Sequence, residues 1–163
     1  MSRRKPFTLV EVVVVIVIML VTGGIAISTM RSDSTARLIK TSTNEMRSLC
    51  SRARYKAMEM GEDRMVVYYP DERMFYVARP VANQQEAEEY EYGFVIQKTM
   101  KWELPEEFEL GTDDNDPIEV FRFYPDGGAS GTSLNLACKG HSVMIGVAKL
   151  TGAVVTYEGE AQQ

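Results

Sequence analysis

The chain is expected to fold as α+β: a long N-terminal helix, membrane-spanning in its first half and amphipathic in its second, packed on antiparallel β-sheets. Three observations predict this. An aliphatic stretch with a single charge runs from Phe7 to Ile27, and a proline-free segment with apolar residues at gaps of three and four follows it to Met60. From Arg64 onward the hydrophobic period falls to two, with turn residues between short runs. At 163 residues there is room for one soluble domain of roughly 100 residues beyond the apolar segment.

Residues 1–6 are a basic leader, with Arg3, Arg4 and Lys5 ahead of Pro6. Positive-inside logic keeps them in the cytoplasm and sends everything after Ile27 across the membrane. Residues 7–27 then form the transmembrane helix, and Glu11 is its only charge. A carboxylate at mid-bilayer costs about 3 kcal/mol on insertion scales, so Glu11 asks for a cation inside the membrane. A cut between Pro6 and Phe7 would supply one. The new α-amino group on Phe7 would lie about one helical turn from Glu11, and the amine of a neighbouring subunit could serve equally. Other readings of the segment compete: an ordinary secretory signal with Val12 to Val21 as its apolar core and Ala26-Ile27-Ser28 as a cleavage site, or a plain signal anchor. A twin-arginine signal is partly matched by Ser2-Arg3-Arg4.

Residues 28–61 continue as an amphipathic helix. Ile39, Ser42, Met46, Leu49, Cys50, Ala53, Ala57 and Met60 trace one face, which is the core stripe, and Gly61 supplies the stop. Taken with the apolar segment, Phe7 to Met60 makes one helix about 80 Å long at ~1.5 Å per residue.

Residues 62–163 are expected to be the antiparallel β domain. Met65 to Tyr69 and Met74 to Val77, joined by Pro70-Asp71-Glu72-Arg73, read as a hairpin, and Asn83 to Glu91 as a solvated acidic loop. Further strands are expected at Phe94 to Gln97, Phe108 to Leu110, Ile118 to Tyr124, Ser133 to Cys138, Ser142 to Ala148 and Ala153 to Tyr157. The turns fall at Pro125-Asp126-Gly127-Gly128, Lys139-Gly140 and Thr151-Gly152.

The net charge of −5 argues against nucleic acid as a partner, and losing the leader would make the chain more acidic still. Cys50 and Cys138 either pair or remain two separately buried thiols, and their spacing has no metal-ligand character. Little supports enzymatic chemistry. His141, the single histidine, sits beside a turn and reads as an exposed loop residue. Asp113, Asp114, Asn115 and Asp116 form a dense oxygen cluster, but the Gly and distal Glu of a calcium loop are missing from the required offsets, so a solvated turn is expected and no metal. Gly127-Gly128 leads into a strand and not into a helix N-terminus, which removes a phosphate loop. No catalytic residue and no cofactor is expected.

The run Phe7-Thr8-Leu9-Val10-Glu11, after a basic leader and before an aliphatic helix, resembles the class III signal of type IV prepilins and type II secretion pseudopilins. Ala53 to Val67, Trp102-Glu103-Leu104-Pro105, Val120 to Gly128 and Ile145 to Val155 are similar to the H-type minor pseudopilins and the related minor pilins. That resemblance implies cleavage between Pro6 and Phe7 by a prepilin peptidase, N-methylation of Phe7, and a docking role for Glu11. The chain departs from the family's usual Gly before the cut, having Pro6. The resemblance further implies a structural subunit of a secretion pseudopilus in the bacterial inner membrane, with its C-terminal domain in the periplasm. Its partners would be other pseudopilins or pilins, the peptidase, membrane lipid and secreted protein cargo. The alternative within the same family is a minor type IV pilin for pilus assembly or DNA uptake. The acidic tail and the acidic loop weigh against DNA capture.

Overall fold

In the computed structural model, α1 occupies Leu9–Met60, a single helix of 52 residues. The structure describes residues 9–110 and 116–160, with backbone alone over 21–34 and 158–160. The leader, Pro6 and Phe7 therefore lie outside the described residues, as do Asp113, Asp114 and Asn115. By contacts the chain divides into two units, Met1–Leu38 and Ile39–Gln163.

In the first unit, the side chains of residues 9–20 are all exposed, from 46% at Val15 to 82% at Leu9. Among the described residues no helix is long and apolar enough to cross a membrane. Of the expected 7–27 span, side chains are described only over 9–20.

In the second unit, the helical stripe is buried as the spacing predicts. Met46, Leu49, Cys50, Ala53 and Ala57 are fully buried and Ser42 nearly so, whereas Ile39, the first position of that face, is only partly buried and Met60, the last, is half exposed because the helix ends there. Gly61 terminates α1 at φ 68°, its N–H donating to the Ala57 carbonyl at 3.0 Å, the left-handed cap that a residue without Cβ adopts at least cost.

Among the described residues eight strands follow. β1 (Arg64–Tyr69) and β2 (Met74–Pro80) pair antiparallel as the expected hairpin, closed by an Arg73 N–H to Pro70 carbonyl bond of 3.1 Å. β3 (Phe94–Glu103), β4 (Ile118–Phe123) and β5 (Ala129–Gly131) complete a five-stranded sheet in the order β3-β2-β1-β4-β5. β6 (Leu134–Cys138), β7 (His141–Val147) and β8 (Val154–Glu160) make a second sheet in chain order. β6 and β7 are joined through Lys139 and Gly140, both at positive φ (49° and 82°), the two-residue turn whose twist suits a hairpin.

The central strand β1 is buried on both faces. On one face the register sets Val66 beside Val77 and Phe121, and Tyr68 beside Phe75, whose ring stacks on Trp102 at 5.3 Å. These rings and the helical stripe form the core of the unit. On the other face Met65, Val67, Met74, Tyr76 and Ala78 form a smaller cluster, edged by Tyr69, Phe94 and Ile96.

Three sequence expectations are corrected. Asn83 to Glu91 is not a loop throughout: α2 spans Gln84–Glu89, although none of its residues is buried. Asn83 caps it, its side chain accepting from the Glu86 N–H at 2.9 Å, while Glu86 reaches back to the Ala82 N–H at 2.9 Å. Phe108 to Leu110 makes only one bridge, Glu109 to Ala137. β3 runs past Gln97 to Glu103, with a register shift opposite Tyr76 and Val77 that skips from Lys101 to Gln97 and lets the strand re-pair.

Candidate functional site

Glu11 lies in the first turn of α1 as described, exposed among exposed aliphatic side chains. In an amphipathic surface helix the apolar residues occupy one stripe; here they occupy the whole circumference over 9–20, and all of their side chains are exposed. A carboxylate set in such a surface is the one group there that can be recognised by charge once the surface leaves water. Phe7 and Pro6, which sequence logic places beside it, lie outside the described residues.

The lower end of the second helical half is tied to two loops. Arg54 Nε donates to the Gly127 carbonyl at 3.1 Å. Gly127 and Gly152, both at positive φ, come so close to the Arg54 side chain that added Cβ atoms would meet it at 3.2 Å and 2.9 Å. The Asp126 side chain accepts from the Gly128 N–H at 2.8 Å, and Ala129 N–H donates to the Lys149 carbonyl at 2.9 Å. Thus the Pro-Asp-Gly-Gly turn and the Thr-Gly turn, read separately in the sequence, meet at one arginine. Sequence reasoning missed Arg54, since an arginine one position from a buried alanine looks like an ordinary solvated residue. Arg73 plays a similar part elsewhere, donating to the carbonyls of Pro105 (3.0 Å) and Phe108 (2.8 Å).

Cys50 and Cys138 are both buried and both free, so the disulfide alternative is not formed. Burial pushes the Cys50 thiol up to about 12 and raises that of Cys138 as well, which keeps both neutral and unreactive. Glu86 is held down at about 2, first by the paired hydrogen bonds from Arg79 at 2.7 and 2.8 Å and then by the Ala82 N–H. His141 is exposed, but it opens β7 opposite Cys138 and does not sit in a loop. Of the Asp113 to Asp116 cluster only Asp116 is described, and it is exposed. Among the described residues no group of His, Cys, Asp or Glu could hold a metal ion.

Residues 1–27 match the family model described as the prokaryotic N-terminal methylation motif. The fold is similar to the structure of the minor pseudopilin EpsH from the type 2 secretion system of Vibrio cholerae, with a TM-score of 0.53 and 16% sequence identity over 73% of this chain and 95% of that one. No curated protein matches the sequence. The chain therefore carries a prepilin-type N-terminal methylation motif on an α+β unit with the fold of that minor pseudopilin.

Proposed function

We propose that the chain is a minor pseudopilin: a structural, non-enzymatic subunit of a type II secretion pseudopilus, anchored in the inner membrane by residues 7–27 with its β domain in the periplasm. A prepilin peptidase removes residues 1–6 and Phe7 is methylated. In the membrane and in the filament, Glu11 pairs with the N-terminal amine of a neighbouring subunit. The observation that carries this reading is the helix surface over 9–20, apolar on every side with Glu11 as its only charge. Such a surface is stable against lipid tails and against like helices, and an amine within the same layer offsets the cost of the carboxylate there. The methylation motif and the fold support the same reading. The acidic balance of −5 disfavours a DNA-capturing minor pilin of the same fold.

Mass spectrometry of the N-terminus of the native protein tests the proposal directly. A chain beginning with N-methylated Phe7 in the membrane fraction is the expected result. A mature chain beginning at Ile27 or Thr29 and recovered outside the membrane would refute it.

A further inference from the structure

Aromatic rings from three segments of the chain meet on the face of the five-stranded sheet that carries the smaller apolar cluster. Tyr69, at the end of β1, sits edge-on to Tyr76 of β2 at 5.5 Å and to Phe94 of β3 at 6.4 Å. Phe94 in turn carries the ring of Tyr92, stacked at 6.2 Å. The turn ahead of β3 makes that stacking possible. Gly93, at φ 71°, donates its N–H to the Tyr90 carbonyl at 3.0 Å, and the chain doubles back so that Tyr92 lies on Phe94. Tyr92 is left 45% exposed, with Tyr69 and Phe94 partly exposed beside it. The rim of these rings is negative. Asp71 and Glu72 come from the β1–β2 turn, where Glu72 accepts from the Tyr76 hydroxyl at 2.6 Å, and Glu91 adjoins Tyr92. Desolvation, followed by the carboxylates of Glu91, Asp116 and Asp71, raises the Tyr92 phenol above its usual range; desolvation followed by Glu72 does the same at Tyr69. Among the described residues no Lys or Arg forms an ion pair with any of these four carboxylates, and no group of carboxylates could hold a metal ion.

We propose that this aromatic patch clasps an arginine side chain of a partner protein. The face of an aromatic ring carries negative charge, so Tyr92 and Tyr69 attract a cation laid over them, and the carboxylates around them attract the same cation. Arginine fits both demands at once. Its flat guanidinium stacks on a ring while the N–H groups at its edge fork toward a carboxylate, which an ammonium cannot do. Asp71 and Glu91 stand on different segments and, with no cation of the chain paired to them, leave the charge to be matched from outside. A clasp for one side chain is weak by itself, so it serves as one anchor within a larger protein contact, where arginine and tyrosine carry much of the binding. The patch lies wholly within the second unit and is independent of the membrane anchor and of the filament reading.

The test uses the full chain in detergent micelles, with the Tyr and Phe rings followed by NMR, and a capped peptide Gly-Ser-Arg-Ser-Gly as the probe. Saturable shifts at Tyr69, Tyr92 and Phe94 are expected at about millimolar peptide, weakening as salt rises toward roughly 0.5 M. The same peptide with citrulline in place of arginine keeps the shape and loses the charge, and it should bind roughly fivefold more weakly or not at all. Tyr92→Leu keeps an apolar cover over Phe94 and removes the ring face, while Glu91→Gln removes one carboxylate and leaves the rings. Each should weaken binding about two- to fivefold with the unfolding midpoint unchanged. Absent saturable ring shifts, equal binding of the citrulline peptide, or native-like binding by both variants overturns the proposal. Ring shifts that grow with protein concentration in the absence of peptide also overturn it, because a second copy of the chain would then occupy the place.

Discussion

Replacing Gly152 by alanine probes how tightly the two loops and Arg54 are packed. Gly152 has φ 60°, and a Cβ there would meet the Gly127 carbonyl at 2.7 Å and Arg54 Cδ at 2.9 Å. Two costs add. An L residue in the left-handed region loses roughly 1–2 kcal/mol. Forcing a methyl group against a backbone oxygen, itself held at 3.1 Å by Arg54 Nε, costs about 1–3 kcal/mol more. Gly140 is the internal control. Its φ is 82°, yet nothing lies within 4 Å of the same built Cβ, so Gly140→Ala carries only the first cost. Thermal unfolding of the two variants, followed by the fluorescence of Trp102, the only tryptophan, isolates the packing part. Gly152→Ala should unfold at least roughly 3–5 °C below Gly140→Ala, the equivalent of about 1 kcal/mol in a unit of this size. Equal midpoints would show that the loops give way freely and that the junction at Arg54 is not tightly packed.

Glu11→Leu should insert into membranes at least as well as the native chain but fail to enter filaments; cross-linking in the membrane fraction measures this, and normal incorporation would contradict the role given to the carboxylate. Glu86→Gln should speed amide exchange across Gln84–Glu89. Because the Glu86 carboxyl is held at about 2 in the folded chain against an ordinary 4.5, its contribution is present above about pH 4.5 and disappears as pH falls toward 2, which an NMR titration of that carboxyl would trace. Cys50 should resist a thiol reagent at pH 8 until urea exposes it. With its folded value near 12 against 9 unfolded, stability should fall as pH climbs above about 9, and a flat profile there would show that the thiol is not desolvated.

Local chemistry was legible in the sequence wherever one residue decides the geometry. Gly61 ends α1, Lys139-Gly140 makes a two-residue turn, and Pro70 to Arg73 closes the first hairpin, because each supplies a backbone conformation its neighbours cannot. The helical stripe was legible because its gaps of three and four repeat over five turns. α2 was missed although Asn83 and Glu86 spell a capping box, since an all-polar helix has no hydrophobic period to reveal it. The division into two sheets, the three-residue β5 and the single bridge at Glu109 depend on long-range pairing, which no local pattern encodes. At the candidate site, Glu11 was visible as a lone charge, whereas Arg54 acquires its role only when two distant turns meet it.

The sheet order also sets a schedule for folding. β1 finds β2 at once through a four-residue connection, but the strand that closes its other edge, β4, begins only at Ile118. Until then the run Met65-Val66-Val67-Tyr68-Tyr69 stands with one bare edge, rich in β-branched and aromatic side chains and carrying no charge, the kind of surface on which chains stick together. Topology of this kind predicts that closing the long loop between β1 and β4 is the slow step in folding, with self-association through β1 as the hazard before it.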